Sequence, residues 1–343
     1  MYDTTLTKQM YNKGKLEHNI FALCYRRELG SSKRGVSAGS MTLGGVSNSL
    51  DTSKIIYAKN MATIGFYTVY VKGIYIRSGG GQSARTPSQG KYQIHKVPLN
   101  VHKVNSGKGV IVDSGTTDTY LNKNMARSFN KMWKMVTGRD YSHAPISLND
   151  EQLRSLPTIL VQCQVSRLRD ENGDNTSSEL TSLQAHDMRM DPSLKDPDSI
   201  VGYAGKLDPS SPTDLLIAIP ATNYMEFSPR TKQYASRVYF TETSGGVLGS
   251  NTMQGHNVVF DWENGRIGFA ESSCTYDRND APTETDEGRY NNDCTLGKAV
   301  LSQACIETVD EQLCDNNPSV SDRCLRHAFR KAPWCSVRRF LFS

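Results

Sequence analysis

The 343-residue chain has no stretch approaching the ~20 consecutive apolar residues that a spanning helix needs, which excludes an integral membrane bundle. It lacks an excess of one charge: 40 Lys plus Arg face 35 Asp plus Glu. A surplus of +5 spread along the chain makes no basic stripe, so a nucleic-acid groove is not expected. The first ten residues, Met1 to Met10, have no basic segment followed by an apolar run and do not read as a secretory signal. Close Cys-x-x-Cys pairs are missing as well, and His18, His95, His102, His143, His186, His256 and His327 show no metal-ligand spacing. Neither a metal nor any other cofactor is therefore expected. Gly79-Gly80-Gly81 has no following Lys-Ser/Thr, so it reads as a turn rather than a phosphate cradle.

The cysteines that are present are unevenly placed. Cys24, Cys163 and Cys274 are spread through the body, whereas Cys294, Cys305, Cys314, Cys324 and Cys335 crowd the last fifty residues. An even total with five in a short polar tail fits disulfides in an oxidising compartment, and the sequon Asn175-Thr176-Ser177 agrees with it. The expected location is the secretory pathway, extracellular or lysosomal/vacuolar, although no signal peptide is seen.

Three zones follow along the chain. From about residue 16 to 163, short apolar runs alternate with Gly-bearing turns: Ser40–Gly45, Lys54–Tyr57 and Tyr67–Ile76 are rich in β-branched and aromatic residues. Asn122–Val136, with Met125, Phe129, Met132 and Trp133 near helical spacing, is the one helical candidate there. Residues 167–214 hold ten acidic residues and four prolines with little periodicity and read as an acidic surface insertion. Strand patterns return at Leu215–Ile219, Val238–Phe240, Val247–Gly249, Asn257–Phe260 and Arg266–Phe269. The predicted fold class is all-β and mostly antiparallel, with a few short helices. The expected division is a main lobe over 1–276, then a linker and a small helical, disulfide-bearing tail over 277–343, with helices near Leu296–Val309 and Asp322–Phe329.

The segment that carries chemistry is Gly109-Val110-Ile111-Val112-Asp113-Ser114-Gly115-Thr116-Thr117. Three apolar strand residues deliver an Asp onto a turn made by Gly115 and flanked by hydroxyls. A carboxylate held so has a fixed orientation and a tunable pKa; an ordinary Asx-type turn is the simpler alternative. The segment resembles one half-site of the pepsin-like aspartic proteases. Phe21–Cys24, Gly39–Gly45 and Tyr67–Ile74 upstream, and Gly246–Met253, Asn257–Asp261 and Arg266–Ala270 downstream, resemble the remaining strands of that family's C-terminal lobe, half of a double-psi type β-barrel.

By this resemblance Asp113 is the catalytic carboxylate of the second half-site and Ser114 donates into the lattice that ties two half-sites together. Thr116 bonds the outer oxygen of Asp113, Gly115 admits the substrate backbone and Thr117 completes the turn. Gly249 lets a strand pass behind the active loop. Cys24 and Cys274 match the disulfide that joins the first and last segments of the lobe. Cys163 either bonds to the tail or is a free buried thiol. The implied function is aspartic-type endopeptidase activity on polypeptides, through water activated between two Asp residues.

The sequence contains only one such turn. Leu50-Asp51-Thr52-Ser53 and Tyr2-Asp3-Thr4-Thr5 lack the glycine and follow no apolar strand. The expectation is that an N-terminal lobe, from upstream sequence or a second chain, completes the site, since Met10–Cys24 reads like mid-protein sequence. The alternatives are a homodimeric single-lobe protease and a catalytically incomplete relative acting as a binding or decoy module.

Overall fold

In the computed structural model, which describes residues 5–26, 39–47, 49, 51–61, 65–78, 93–166 and 200–274, the β-branched and aromatic runs become strands of three five-stranded sheets. Outside the described residues lie the sequon at Asn175, the Gly79–Gly81 turn, residues 167–199, and the linker and tail from 277.

After the short exposed helix α1 (Leu6–Asn12) come β1 (Ile20–Tyr25), β2 (Gly39–Leu43) and β3 (Ile56–Lys59). They join the last two strands, β16 (His256–Asp261) and β17 (Arg266–Glu271), in an antiparallel sheet of order β2-β1-β16-β17-β3. Tyr67–Ile76 divides at Tyr70 into β4 (Thr68–Val69) and β5 (Val71–Arg77), which enter different sheets. The second sheet takes β5, β6 (Ile94–Lys96), β9 (Thr158–Cys163), β10 (Val201–Tyr203) and β11 (Leu215–Ile219), in the order β10-β11-β9-β5-β6. Every residue of β9 and β11 is buried, as in strands covered on both faces. The third sheet, β14-β8-β15-β7-β4, contains β7 (Val110–Val112), β8 (Thr119–Asn122), β14 (Val238–Glu242) and β15 (Gly246–Leu248). Here β15 runs parallel to β7 and antiparallel to β8, while β14 runs parallel to β8. A hairpin of β12 (Met225–Ser228) and β13 (Gln233–Ser236) stands apart. The fold is mostly antiparallel β-structure with short helices, and no sheet closes into a barrel among the described residues.

The expected helix is α3 (Ala126–Thr137), entered through a 3-10 turn and stopped by Gly138 at a φ of 73°. Phe129 and Trp133, one turn apart, bury its inner face against Tyr141, with Phe240 closing on Phe129. Two further helices, α2 (Val101–Val104) and α4 (Asp150–Ser155), are too short to show a period in sequence. The Asn149/Gln152 capping box starts the latter.

The acidic stretch 167–214 needs correction at its far end. Ile200 and Val201 are buried and β10 pairs with β11, so the stretch rejoins the core at Ile200. Two of its carboxylates are internal acceptors. Gln162 Nε2 donates to Asp208 Oδ2 and Asp214 Oδ2, both at 2.8 Å, and Lys72 Nζ pairs with Asp214 at 2.8 Å. Asp214 is buried, and this ion pair compensates its charge. Cys163, beside it at the end of β9, is a free buried thiol whose pKa is pushed far up by burial and by the Asp214 charge.

Asp51 also lies against a sheet. It bridges Ser272, and Asn257 Nδ2 donates to both of its oxygens at 3.1 Å. Burial raises the carboxyl above its ordinary 3.8, against the hydrogen bonds from Asn257 and Ser272. A raised folded-state pKa favours the protonated native state, so this contribution is complete below 3.8 and is lost as pH rises through the raised value. Asp51→Asn removes that titration. Urea midpoints for the two proteins should therefore diverge in the variant's favour as pH rises above 3.8; a constant difference would refute the assignment.

Candidate active site

β7 is wholly buried between β4 and β15, and its ladder carries one residue beyond the strand: the Asp113 N–H donates to the Leu248 carbonyl at 3.0 Å. The carboxylate of Asp113 therefore starts from a fixed backbone. The Gly115 N–H donates to its Oδ1 at 2.9 Å and the Thr116 hydroxyl to its Oδ2 at 2.6 Å. The first contact is an Asx turn, the simpler of the two readings of this tetrapeptide. Each oxygen accepts one hydrogen bond, and the side chain remains only partly buried. A Cβ on Gly115 would stand 3.3 Å from Asp113 Oδ1, and the residue is exposed, which leaves that side open.

The chain then turns into β8, and a second segment supports it from behind. β15 ends at Leu248, Gly249 crosses, and a one-turn helix, Ser250–Met253, follows. The Ser250 N–H donates to the Thr116 carbonyl at 2.7 Å and the Asn251 N–H to the Thr117 carbonyl at 3.0 Å. Thr119 Oγ1 donates to Asn251 Oδ1 at 2.7 Å. Gly249 has an ordinary φ of −81°, so space and not backbone freedom requires glycine. A Cβ there would overlap the Asp118 carbonyl oxygen and lie 2.6 Å from that of Thr116. Both neighbours are backbone and cannot swing away. Gly249→Ala is expected to cost about 3 kcal/mol and to displace the loop. A variant that unfolds at the wild-type urea concentration would show that the crossing is looser than this.

Asp118, the next carboxylate after Asp113, is committed elsewhere: Arg237 Nε donates to its Oδ1 at 3.1 Å. The same Arg237 meets Glu226 at 2.9 Å and reaches the Tyr239 hydroxyl at 3.0 Å.

The structure thus brings together Asp113, Gly115, Thr116, Thr117 and Gly249. Near Ser114 lies a residue that the sequence reading did not single out. Tyr25, at the end of β1, is half-buried beside Ser114 and Asp113. Burial raises the Tyr25 pKa above 10; Ser114 works against that rise and the Asp113 charge adds to it. Cys24 and Cys274 form a disulfide, with Cα atoms 5.2 Å apart, that ties β1 to the chain beyond β17. Arg237 and Asp118 were likewise not foreseen, since nothing local marks two residues from distant segments as a pair.

The family model of eukaryotic aspartyl proteases matches residues 1–172 of this chain. Comparison with curated proteins finds no match.

Proposed function

The chain belongs to the eukaryotic aspartyl proteases, and we propose that it hydrolyses internal peptide bonds in polypeptides with Asp113 as one of the two carboxylates. The observation that carries this reading is the Asp113 carboxylate itself, set at the end of a buried strand with a glycine N–H and a threonine hydroxyl on its two oxygens. In such chemistry two facing carboxylates share one proton, because like charges in contact cannot both ionise. The ionised partner takes a proton from water as the oxygen adds to the scissile carbonyl carbon. The protonated partner gives its proton to the carbonyl oxygen. Collapse of the resulting diol breaks the C–N bond, and the amine leaves with a proton returned from a carboxyl group.

Within that scheme Gly115 and Thr116 orient Asp113, Gly115 leaves room for the substrate backbone, and Thr117 and Gly249 hold the turn against the crossing strand. Ser114 reaches toward the opposite half-site. No second Asp-Ser/Thr-Gly turn occurs in the sequence. The second carboxylate is therefore supplied by an N-terminal lobe or by another chain. The body is a lobe over 1–276 with a separate tail over 277–343. The buried Cys24–Cys274 bond supports residence in an oxidising secretory compartment.

The test is cleavage of a peptide mixture at acid pH, by this chain alone and by a longer product of the same gene, with and without a statine-containing peptide that mimics the diol. Statine-sensitive cleavage by the longer protein only supports completion by a lobe. The same activity in the 343-residue chain, second order in protein, supports a dimer. No cleavage by either refutes proteolysis.

A further inference from the structure

Asp113 is the first of four residues that stand in one row across the third sheet. Leu248 of β15 is in register with Val112 of β7, so the next residues, Gly249 and Asp113, are neighbours. β15 runs antiparallel to β8 with Val247 opposite Tyr120, which sets Asp118 beside Gly249. β14 runs parallel to β8 with Val238 opposite Thr119, which sets Arg237 beside Asp118. The row therefore reads Asp113, Gly249, Asp118, Arg237. Side chains alternate along a strand, and Val112, Leu248 and Val238 belong to the main core. Asp113 and Arg237, each one residue away from them, share the opposite face. Gly249 adds no side chain and Asp118 is buried. Arg237, its side chain 33% exposed, is thus the next accessible group in the row after Asp113.

Its guanidinium is held but not used up. Nε donates to Asp118 Oδ1 at 3.1 Å and lies 2.9 Å from Glu226 Oε2, while Nη1 donates to the Tyr239 hydroxyl at 3.0 Å. Tyr239 is itself fixed in a column of near-parallel rings, 5.3 Å from Tyr120 and 4.5 Å from His143. Nη2 has no partner among the described residues. The two carboxylates on Nε are not equivalent. Asp118 is buried and stays with its cation. The Glu226 side chain is 58% exposed, and an exposed ion pair is weak enough to give way. What results is a pre-oriented planar cation with N–H groups to spare, the donor set that suits a carboxylate.

Neighbouring strands lie about 4.8 Å apart, so three spacings put Arg237 about 14 Å from Asp113, and an extended peptide covers that in about four residues. We propose that Arg237 is a specificity-determining residue: it takes the carboxylate of an acidic substrate side chain about four residues from the scissile bond, displacing Glu226. This rests on reading Asp113 as a catalytic carboxylate.

The test uses matched substrate peptides that carry Glu or Gln at one position, scanned outward on each side of the cut. At about pH 5 a peptide glutamate is mostly ionised. There kcat/KM is expected to be about tenfold higher for Glu than for Gln near the fourth position on one side, the scale of one charged hydrogen bond. Arg237→Lys keeps the charge but not the fork, and the ratio should fall to about threefold. Glu226→Gln removes the competing carboxylate and should raise the ratio. Asp118→Asn/Arg237→Gln leaves no unpaired buried charge, so it should fold and bring the ratio to one. A wild-type ratio near one, or an unchanged ratio in the double variant, overturns the inference.

The same Glu and Gln pairs built on statine separate this inference from the reading beneath it, because binding needs no turnover. Calorimetry is run on the 343-residue chain and on the longer product of the gene. Tighter binding of the Glu ligand, lost in the double variant, upholds Arg237 even in protein that cleaves nothing, where proteolysis fails. Cleavage without any preference for Glu does the reverse. Protein that neither cleaves the peptides nor binds either ligand removes both.

Discussion

Asp113→Asn is expected to lower kcat for peptide cleavage by at least ~10³-fold, the scale of a general acid–base group, while stability changes by less than about 1 kcal/mol. The two expectations separate because of how the carboxylate is held. An asparagine is nearly isosteric, and its Oδ1 still accepts the Gly115 N–H, which in the native protein lies 2.9 Å from Oδ1. The Thr116 hydroxyl now donates to Oδ2 at 2.6 Å. Facing an amide nitrogen it can rotate and accept instead, since a hydroxyl does either. The backbone anchors, from Asp113 N–H to Leu248 and from Ser250 and Asn251 to the turn carbonyls, involve no side chain of residue 113. The turn therefore keeps its shape. What is lost is the ability to take a proton from water or to share one with a facing carboxylate, and an amide does neither at any working pH. The comparison requires kcat and urea midpoints on the same preparations. Residual cleavage above that level, in protein shown to hold no contaminating protease, would remove Asp113 from the mechanism and with it the proteolytic reading.

Asp113 was legible in the sequence because three features coincide on one segment: an apolar triplet, an acidic residue and a glycine. Each is local, and the structure puts a strand, a carboxylate and a turn at those positions. Fully buried strands were harder. Thr158–Cys163 carries a glutamine and a threonine inside its apolar run, and both are buried, with Gln162 bonded to Tyr75, Asp208 and Asp214. A polar residue that finds its partners only after folding looks like a surface residue beforehand. The end of the acidic stretch misled for the same reason. Charge was read as solvation, whereas Asp214 is buried against Lys72 from β5. Tyr67–Ile76 is one unbroken run of β-branched and aromatic residues, and only the sheet pattern shows where it divides between two strands. Tyr25 was least legible of all, because nothing in its own segment announces that it lies near Ser114 and Asp113. Long-range partnership is what a single sequence hides.

Removal of the Cys24–Cys274 bond is the second large effect, with an expected loss of up to about 5 kcal/mol, since the bond closes a loop spanning 250 residues. Both cysteines are buried, so a Cys24→Ala/Cys274→Ala variant is the cleaner probe: it deletes the cross-link without leaving two buried polar groups behind. The chain-entropy account places the loss in the unfolded state, which becomes more open. The dependence of unfolding free energy on urea should therefore steepen as the midpoint falls. A fall of less than about 1 kcal/mol would show that the five register pairs between β1 and β16 hold this end of the sheet without help. The bond also bears on the site. It clamps the residue next to Tyr25, and the Cys274 sulfur packs 3.7 Å from the carbonyl of His256, the residue after Gly255, which donates to Tyr25. Loosening that corner frees Gly255 and, through it, the one-turn helix whose amides hold the Thr116 and Thr117 carbonyls. The disulfide-free variant, held where it is still folded, should therefore show a lower kcat than the wild type, with KM little changed. Full activity in folded protein without the bond would confine the disulfide to stability.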